Sequence, residues 1–168
     1  MAVPSIDGIT LSDHIDTMIL RALIDKKDDR DLIDGAHRLL RTHGGPLEVC
    51  HVSIGEAFAT MVEDGDRTAD DCSEAARVFY HMIGTDSIRI CGFHNRKETH
   101  ALATRLHDED PMLEANDGII LANALLCGDC DSFFTSDTQM LVSSTVSSIA
   151  LEYKKTIRMP PVLDTNKN

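Results

Sequence analysis

Strands alternating with helices along nearly the whole chain predict an α/β fold: a three-layer α/β/α sandwich around a central, mostly parallel four- to five-stranded sheet. Three observations carry this expectation. Short apolar runs bounded by Gly, Pro, Asp and Ser fall at 9–15, 47–52, 87–93, 132–135 and 156–159. Between them, apolar residues recur every three to four positions, the period of a helix with one buried face. The length of 168 residues is that of one ordinary domain, long enough to bury a core without staples. A single domain is therefore expected over 1–168, with its core at about 9–159 and a loose tail at 160–168 after Pro160-Pro161.

The elements follow in order. Ile9-Thr10-Leu11 to His14-Ile15 reads as the first strand, and Thr17 to Ile24 as a helix start, with Asp16 at the junction. Leu32, Ile33, Ala36, Leu39 and Leu40 form a helical stripe within 28–42, which Gly44-Gly45-Pro46 stops. Leu47 to Val52 is the second strand. Ser53-Ile54-Gly55-Glu56 has the pattern of a capping box and opens a helix to about Val62. After an acidic loop at 64–71, Ala75, Val78, Phe79 and Met82 mark the buried face of a helix over 71–83. Ser87 to Phe93 is the third strand, and a helix over 97–107 follows. Asp110-Pro111 restarts a helix reaching about Cys127, with Pro at the favoured first turn. Ser132 to Thr135 is the fourth strand, Met140 to Lys155 a serine-diluted helix, and Thr156 to Met159 the fifth strand.

Composition excludes several classes. No run approaches the ~18 apolar residues of a membrane span, and Met1 to Thr10 lacks the basic and apolar parts of a secretory leader, so a cytoplasmic protein is expected. The net charge is −12, with 20 Asp against 8 Glu and only 6 Lys, which argues against sequence-independent duplex binding through Lys and Arg. Nucleic acid as a substrate is a different matter, because divalent cations held by carboxylates supply positive charge locally. Five cysteines, an odd number, argue against a disulfide framework. Cys91-Gly-Phe-His94 and Cys127-Gly-Asp-Cys130 together have the spacing of a four-ligand zinc site. Against it, Cys127-Gly128 resembles a helix end and Cys91 falls inside a strand-like run.

In open parallel sheets, ligands bind beyond the carboxyl ends of the strands. Four acids from separate parts of the chain reach that edge: Asp16 after the first strand, Glu56 early in the helix after the second, Asp117 early in the long helix, and Asp137 after the fourth strand. Like charges so gathered repel and require a counter-ion. With only hard oxygen donors, Mg²⁺ or Mn²⁺ is the match, and hydrolysis of a phosphodiester is the chemistry such a site supports. Thr17, Thr135 and Ser136 are placed to orient those carboxylates through their hydroxyls.

Asp16-Thr17-Met18-Ile19-Leu20, Val52-Ser53-Ile54-Gly55-Glu56, Asp117-Gly-Ile-Ile-Leu-Ala and Phe134-Thr135-Ser136-Asp137, in this order and spacing, resemble the PIN-domain family of metal-dependent nucleases over roughly Ile9 to Met159. The resemblance implies a parallel-sheet sandwich, a site of three to four acids (Asp16, Glu56, Asp117, Asp137) binding Mg²⁺ or Mn²⁺, and an RNA substrate. It also implies the toxin half of a toxin–antitoxin pair or an RNA-processing nuclease, and dimerisation.

Structural roles compete at each position. Asp16 and Asp137 could simply cap the helices that follow them, Glu56 fits its capping box without a metal, and Asp117 could lie on an exposed helix face. Asp129 and Asp131 read as turn residues, and His51, His94 and His107 as surface or partly buried side chains. No nucleophile elbow and no Gly-Lys-Ser phosphate loop is present. The competing reading for the whole chain is a non-catalytic PIN-like or zinc-binding interaction module.

Overall fold

Five parallel strands form one sheet in the order β3-β2-β1-β4-β5. The computed structural model describes residues 12–93 and 95–161. The strands are β1 (Asp13–Ile15), β2 (Leu47–Cys50), β3 (Ile88–Cys91), β4 (Ser132–Phe134) and β5 (Thr156–Arg158). The helices are α1 (Thr17–Ile24), α2 (Arg30–Thr42), α3 (His51–Glu63), α4 (Ala69–Gly84), α5 (Arg96–Glu109), α6 (Ala115–Leu126), α7 (Thr138–Val142) and α8 (Ser144–Glu152). This is the expected three-layer α/β/α arrangement, with every strand pairing parallel.

Alternation along the strands divides the side chains between two cores. Ile15, Leu47, Val49, Ile88 and Phe134 pack against α1 to α4 on one face. Cys50 and Phe133 face α5, α6 and α8 on the other. Right-handed crossovers account for the division. The chain first steps outward from β1 to β3 with its helices on one face, then returns past β1 to β4 and β5 with its helices on the other. Phe133 is 1% exposed at the centre of the second core. Phe133→Ala is expected to cost about 3–5 kcal/mol of stability, read as a lower urea midpoint at unchanged slope.

The direction of propagation reverses between β1 and β4, which makes a crevice at their carboxyl ends. The two strands stay joined past their formal ends, since the Asp16 N–H donates to Phe134 O at 3.0 Å. At the opposite edge, the Asp13 carboxylate accepts the Ser132 N–H at 2.8 Å and the Asp131 N–H at 3.2 Å, fixing where β4 begins.

Several expected boundaries shift. Asp13–Ile15 of the expected first strand is a strand, and residues 9–11 of it, like the tail beyond 161, lie outside the described residues. The capping box at Ser53 and Glu56 does not form: β2 ends at Cys50, His51 and Val52 join α3, and Ser53 is buried in its first turn. The true capping box belongs to α4, where Thr68 and Asp71 exchange hydrogen bonds. Pro111 does not start a helix. Asp110 ends α5, Leu113 N–H donates to Asp110 O at 3.0 Å, and Pro111 occupies the turn position its fixed φ favours, so α6 begins only at Ala115. The helix expected over 140–155 is two, divided at Ser143, whose hydroxyl accepts the Val146 N–H at 3.1 Å and so caps α8.

Candidate active site

Asp16, Thr17, Met18, Arg21, Glu56, Thr60, Glu114, Asp117, Ser136, Asp137 and Thr138 line a cavity of about 440 Å³ at the carboxyl ends of β1 and β4. All four acids expected from the sequence lie there. Each arrives by a different route.

Asp16 follows β1 directly, and its side chain caps α1 by accepting the Ile19 N–H at 2.8 Å. The other carboxylate oxygen accepts the Thr135 hydroxyl, so the residue after β4 fixes the residue after β1. Asp137 caps α7 through the Gln139 N–H at 2.7 Å, and its own N–H donates to the Thr135 hydroxyl at 2.9 Å. The capping roles weighed for Asp16 and Asp137 are therefore real, and both residues face the cavity as well. Glu56 lies in the second turn of α3, held by the Thr17 hydroxyl on one oxygen and Asn116 Nδ2 at 3.1 Å on the other. Asp117 lies in the first turn of α6, early in its helix as expected, although that helix begins at Ala115 rather than at Pro111.

The carboxylate of Asp117 accepts no hydrogen bond from any described residue, in contrast to the other three. Burial, then the negative charges of Glu56, Asp137, Glu114 and Asp16, push its carboxyl up to about 7. Burial also pushes Asp16 up to about 6, against the donors Thr135, Ile19 N–H and Ser136 N–H, with Asp137 adding to the rise. Thr17, Thr135 and Ser136 thus each stand on a carboxylate as their positions suggest, although Ser136 acts through its backbone N–H.

Two residues of the cavity were not singled out from the sequence. Glu114, at the cap position of α6, brings a fifth carboxylate. Arg21 brings the one basic side chain of the lining, with its guanidinium 3.6 Å from Asp28 and 3.9 Å from Asp25. The signal for Arg21 was present, since it lies four residues after Thr17 and so on the same face of α1. His51 and His107 do not line the cavity: His51 packs edge-on against Phe93, and His107 Nδ1 lies 3.1 Å from Leu113 O.

The fold is shared with several solved structures. The structure of VapBC2 from Rickettsia felis bound to a DNA fragment from their promoter aligns with a TM-score of 0.59 at 11% identity, over 88% of this chain and 98% of that one. FitAB bound to an IR36 DNA fragment aligns with a TM-score of 0.55 at 13% identity, over 92% of this chain and 99% of that one. FitAcB from Neisseria gonorrhoeae gives 0.53 at 13% identity, over 88% and 96%.

These alignments establish the fold.

In sequence, no family model and no curated protein matches the chain. Among the described residues, no helix is long and apolar enough to cross a membrane.

Proposed function

We propose that this chain is a Mg²⁺- or Mn²⁺-dependent endoribonuclease of PIN type, with Asp16, Glu56, Asp117 and Asp137 holding the metal. The observation that carries the reading is the Asp117 carboxylate: partly buried, without a donor, and surrounded by four other acids. A group so placed is satisfied by a cation. The ionisable donors facing the cavity are five carboxylates with no His or Cys among the lining residues, which suits a hard divalent ion rather than zinc or copper.

When bound, a divalent cation polarises a phosphate oxygen and acidifies water. The chain's own residues do the rest. Thr17 fixes the rotamer of Glu56, while Thr135 and the Ser136 N–H fix Asp16, so the carboxylates need not reorganise when substrate arrives. Asp117, with no donor on it, is placed to accept the proton of the attacking water. Attack forms a new phosphorus–oxygen bond and breaks the bond to the leaving ribose oxygen. Arg21, already at the cavity wall, is placed to meet a non-reacting phosphate. With a chain charge of −12, metal ions and Arg21 rather than a basic surface draw the RNA backbone in.

The structural likeness to VapBC2 and FitAB supports a toxin–antitoxin setting, with an antitoxin protein as the partner of this chain. Purified protein is expected to cleave single-stranded RNA internally with Mg²⁺ or Mn²⁺, and to stop on addition of EDTA. Absence of cleavage with either ion across a panel of structured and unstructured RNAs, in protein shown to be folded and without a bound partner, would overturn the reading.

A further inference from the structure

A second cluster of metal-ligating side chains lies on the face of the sheet that α5 and α6 cover, away from the carboxyl-end cavity. His14 of β1, Glu48 of β2 and Cys127 at the end of α6 bring a ring nitrogen, a carboxylate oxygen and a thiol sulfur within 4.8 Å of one another. His14 and Glu48 are register partners in the sheet, and Cys127 closes over them from the helix layer. The His14 Nε2 is 3.1 Å from Glu48 Oε2, and Cys127 Sγ is 3.8 Å from the same oxygen. In a tetrahedral zinc site with metal–ligand bonds of about 2.0–2.3 Å, neighbouring ligand atoms stand about 3.3–3.8 Å apart. The observed separations bracket those edges.

Two further observations point to a ligand here. His14 is 1% exposed, yet its Nε2 makes no hydrogen bond: it faces Glu48 at short range without the geometry of one. A buried ring nitrogen in close range of a carboxylate and a thiol, without an aligned hydrogen bond to either, is what a metal ion would satisfy. The surroundings are also built as a thiolate site. The Cys127 sulfur accepts the Asp129 N–H and lies within hydrogen-bonding reach of Cys130 and Cys91. Cys130 receives the His14 backbone N–H, and the buried Lys155 brings a positive charge beside it, its ammonium donating to Cys130 O. Ser12 donates to Glu48 Oε1 at 2.7 Å, fixing the carboxylate oxygen that does not face Cys127.

We propose that His14 Nε2, Glu48 Oε2 and Cys127 Sγ bind a structural Zn²⁺ ion, with Cys91 or Cys130 completing a tetrahedral set. The ligand types are those of zinc: a borderline-soft ion that takes nitrogen, sulfur and carboxylate oxygen together. The zinc set read from the sequence is thereby revised. Cys91, Cys127 and Cys130 do gather, His14 and Glu48 are the partners the sheet supplies, and His94 lies outside the described residues. The ion would join β1, β2 and the end of α6. It is distinct from the acidic cavity: α6 separates Cys127 from Asp117 by ten residues, about 15 Å of helix. The proposal stands whether or not the chain is a nuclease.

The test uses the full chain purified without chelator. Zinc is expected near one per chain, and replacement by Co²⁺ should produce the intense near-ultraviolet absorption of thiolate-to-cobalt charge transfer, which an all-oxygen site cannot give. Cys127→Ser should abolish that band, and Asp117→Asn should leave it unchanged. Should Cys127→Ser fail to fold, Glu48→Gln serves instead, with an expected loss of more than about tenfold in Co²⁺ affinity. A wild-type chain with no charge-transfer band in excess Co²⁺, a band indifferent to Cys127→Ser, or unchanged affinity in Glu48→Gln would overturn the proposal. So would a Cys127–Cys130 disulfide in protein prepared under reducing conditions.

Discussion

Asp117→Asn is expected to abolish RNA cleavage and to raise the melting temperature of the metal-free protein at neutral pH. Both effects have one cause. In the absence of a cation the ionised carboxylate is partly buried, lacks a donor, and faces Glu56, Asp137, Glu114 and Asp16. The amide keeps the shape and removes the charge, so repulsion is relieved while a metal ligand is lost. Displacing groups that merely support a ligand costs about 10–100-fold, so removing the ligand should cost more than about 100-fold in rate. Asp16→Asn should lose activity comparably, but with a smaller gain in stability, because its carboxylate is already held by Thr135, Ile19 and Ser136. Cleavage assays beside thermal melts of the same preparations decide the matter. Full activity in both variants would remove the acidic cavity from consideration as the catalytic centre.

The stability of the metal-free protein should also fall as pH rises from about 4 to about 7.5, and Mg²⁺ or Mn²⁺ should restore it. Asp16 and Asp117 have an ordinary value of 3.8 and are raised to about 6 and about 7 in the fold. Between those limits the folded state binds more protons than the unfolded chain, so stability declines with rising pH. For Asp16 alone, the rise from 3.8 to about 6 amounts to a penalty on the order of 3 kcal/mol once the group is ionised. His43, raised by its hydrogen bond to Asp13, loses its own contribution in the upper part of the same range. The informative quantity is therefore the difference between Asp117→Asn and the wild type in EDTA, expected near zero at pH 4 and growing to pH 7.5. A difference independent of pH would show that Asp117 is not held in an anionic pocket.

The acids were legible in the sequence because each follows an apolar run short enough to be a strand or opens one long enough to be a helix, and parallel topology sends such junctions to one edge. What misled was local pattern without knowledge of where a strand stops. Ser53 and Glu56 have capping-box spacing, yet β2 gives up two residues to α3, which turns Ser53 inward and carries Glu56 round to Thr17. Pro111 has the pattern of a helix opener because it precedes a helical run, whereas in the fold Asp110 serves as the end of α5. Glu114 and the pairing of His14 with Glu48 could not be found by spacing at all. They depend on a turn closed by Leu113 and on register across the sheet, and both are set by contacts far apart in the chain.

The Thr135 hydroxyl reaches back 119 residues to Asp16. Because β4 pairs with the edge of β1 that β2 leaves open, a ribosome-borne fragment ending before residue 130 carries three of the four acids and lacks both the strand and the hydroxyl that hold Asp16. The four carboxylates therefore come together only once β4 has docked along that edge. A partner protein present at that moment would meet the cavity newly made rather than half built.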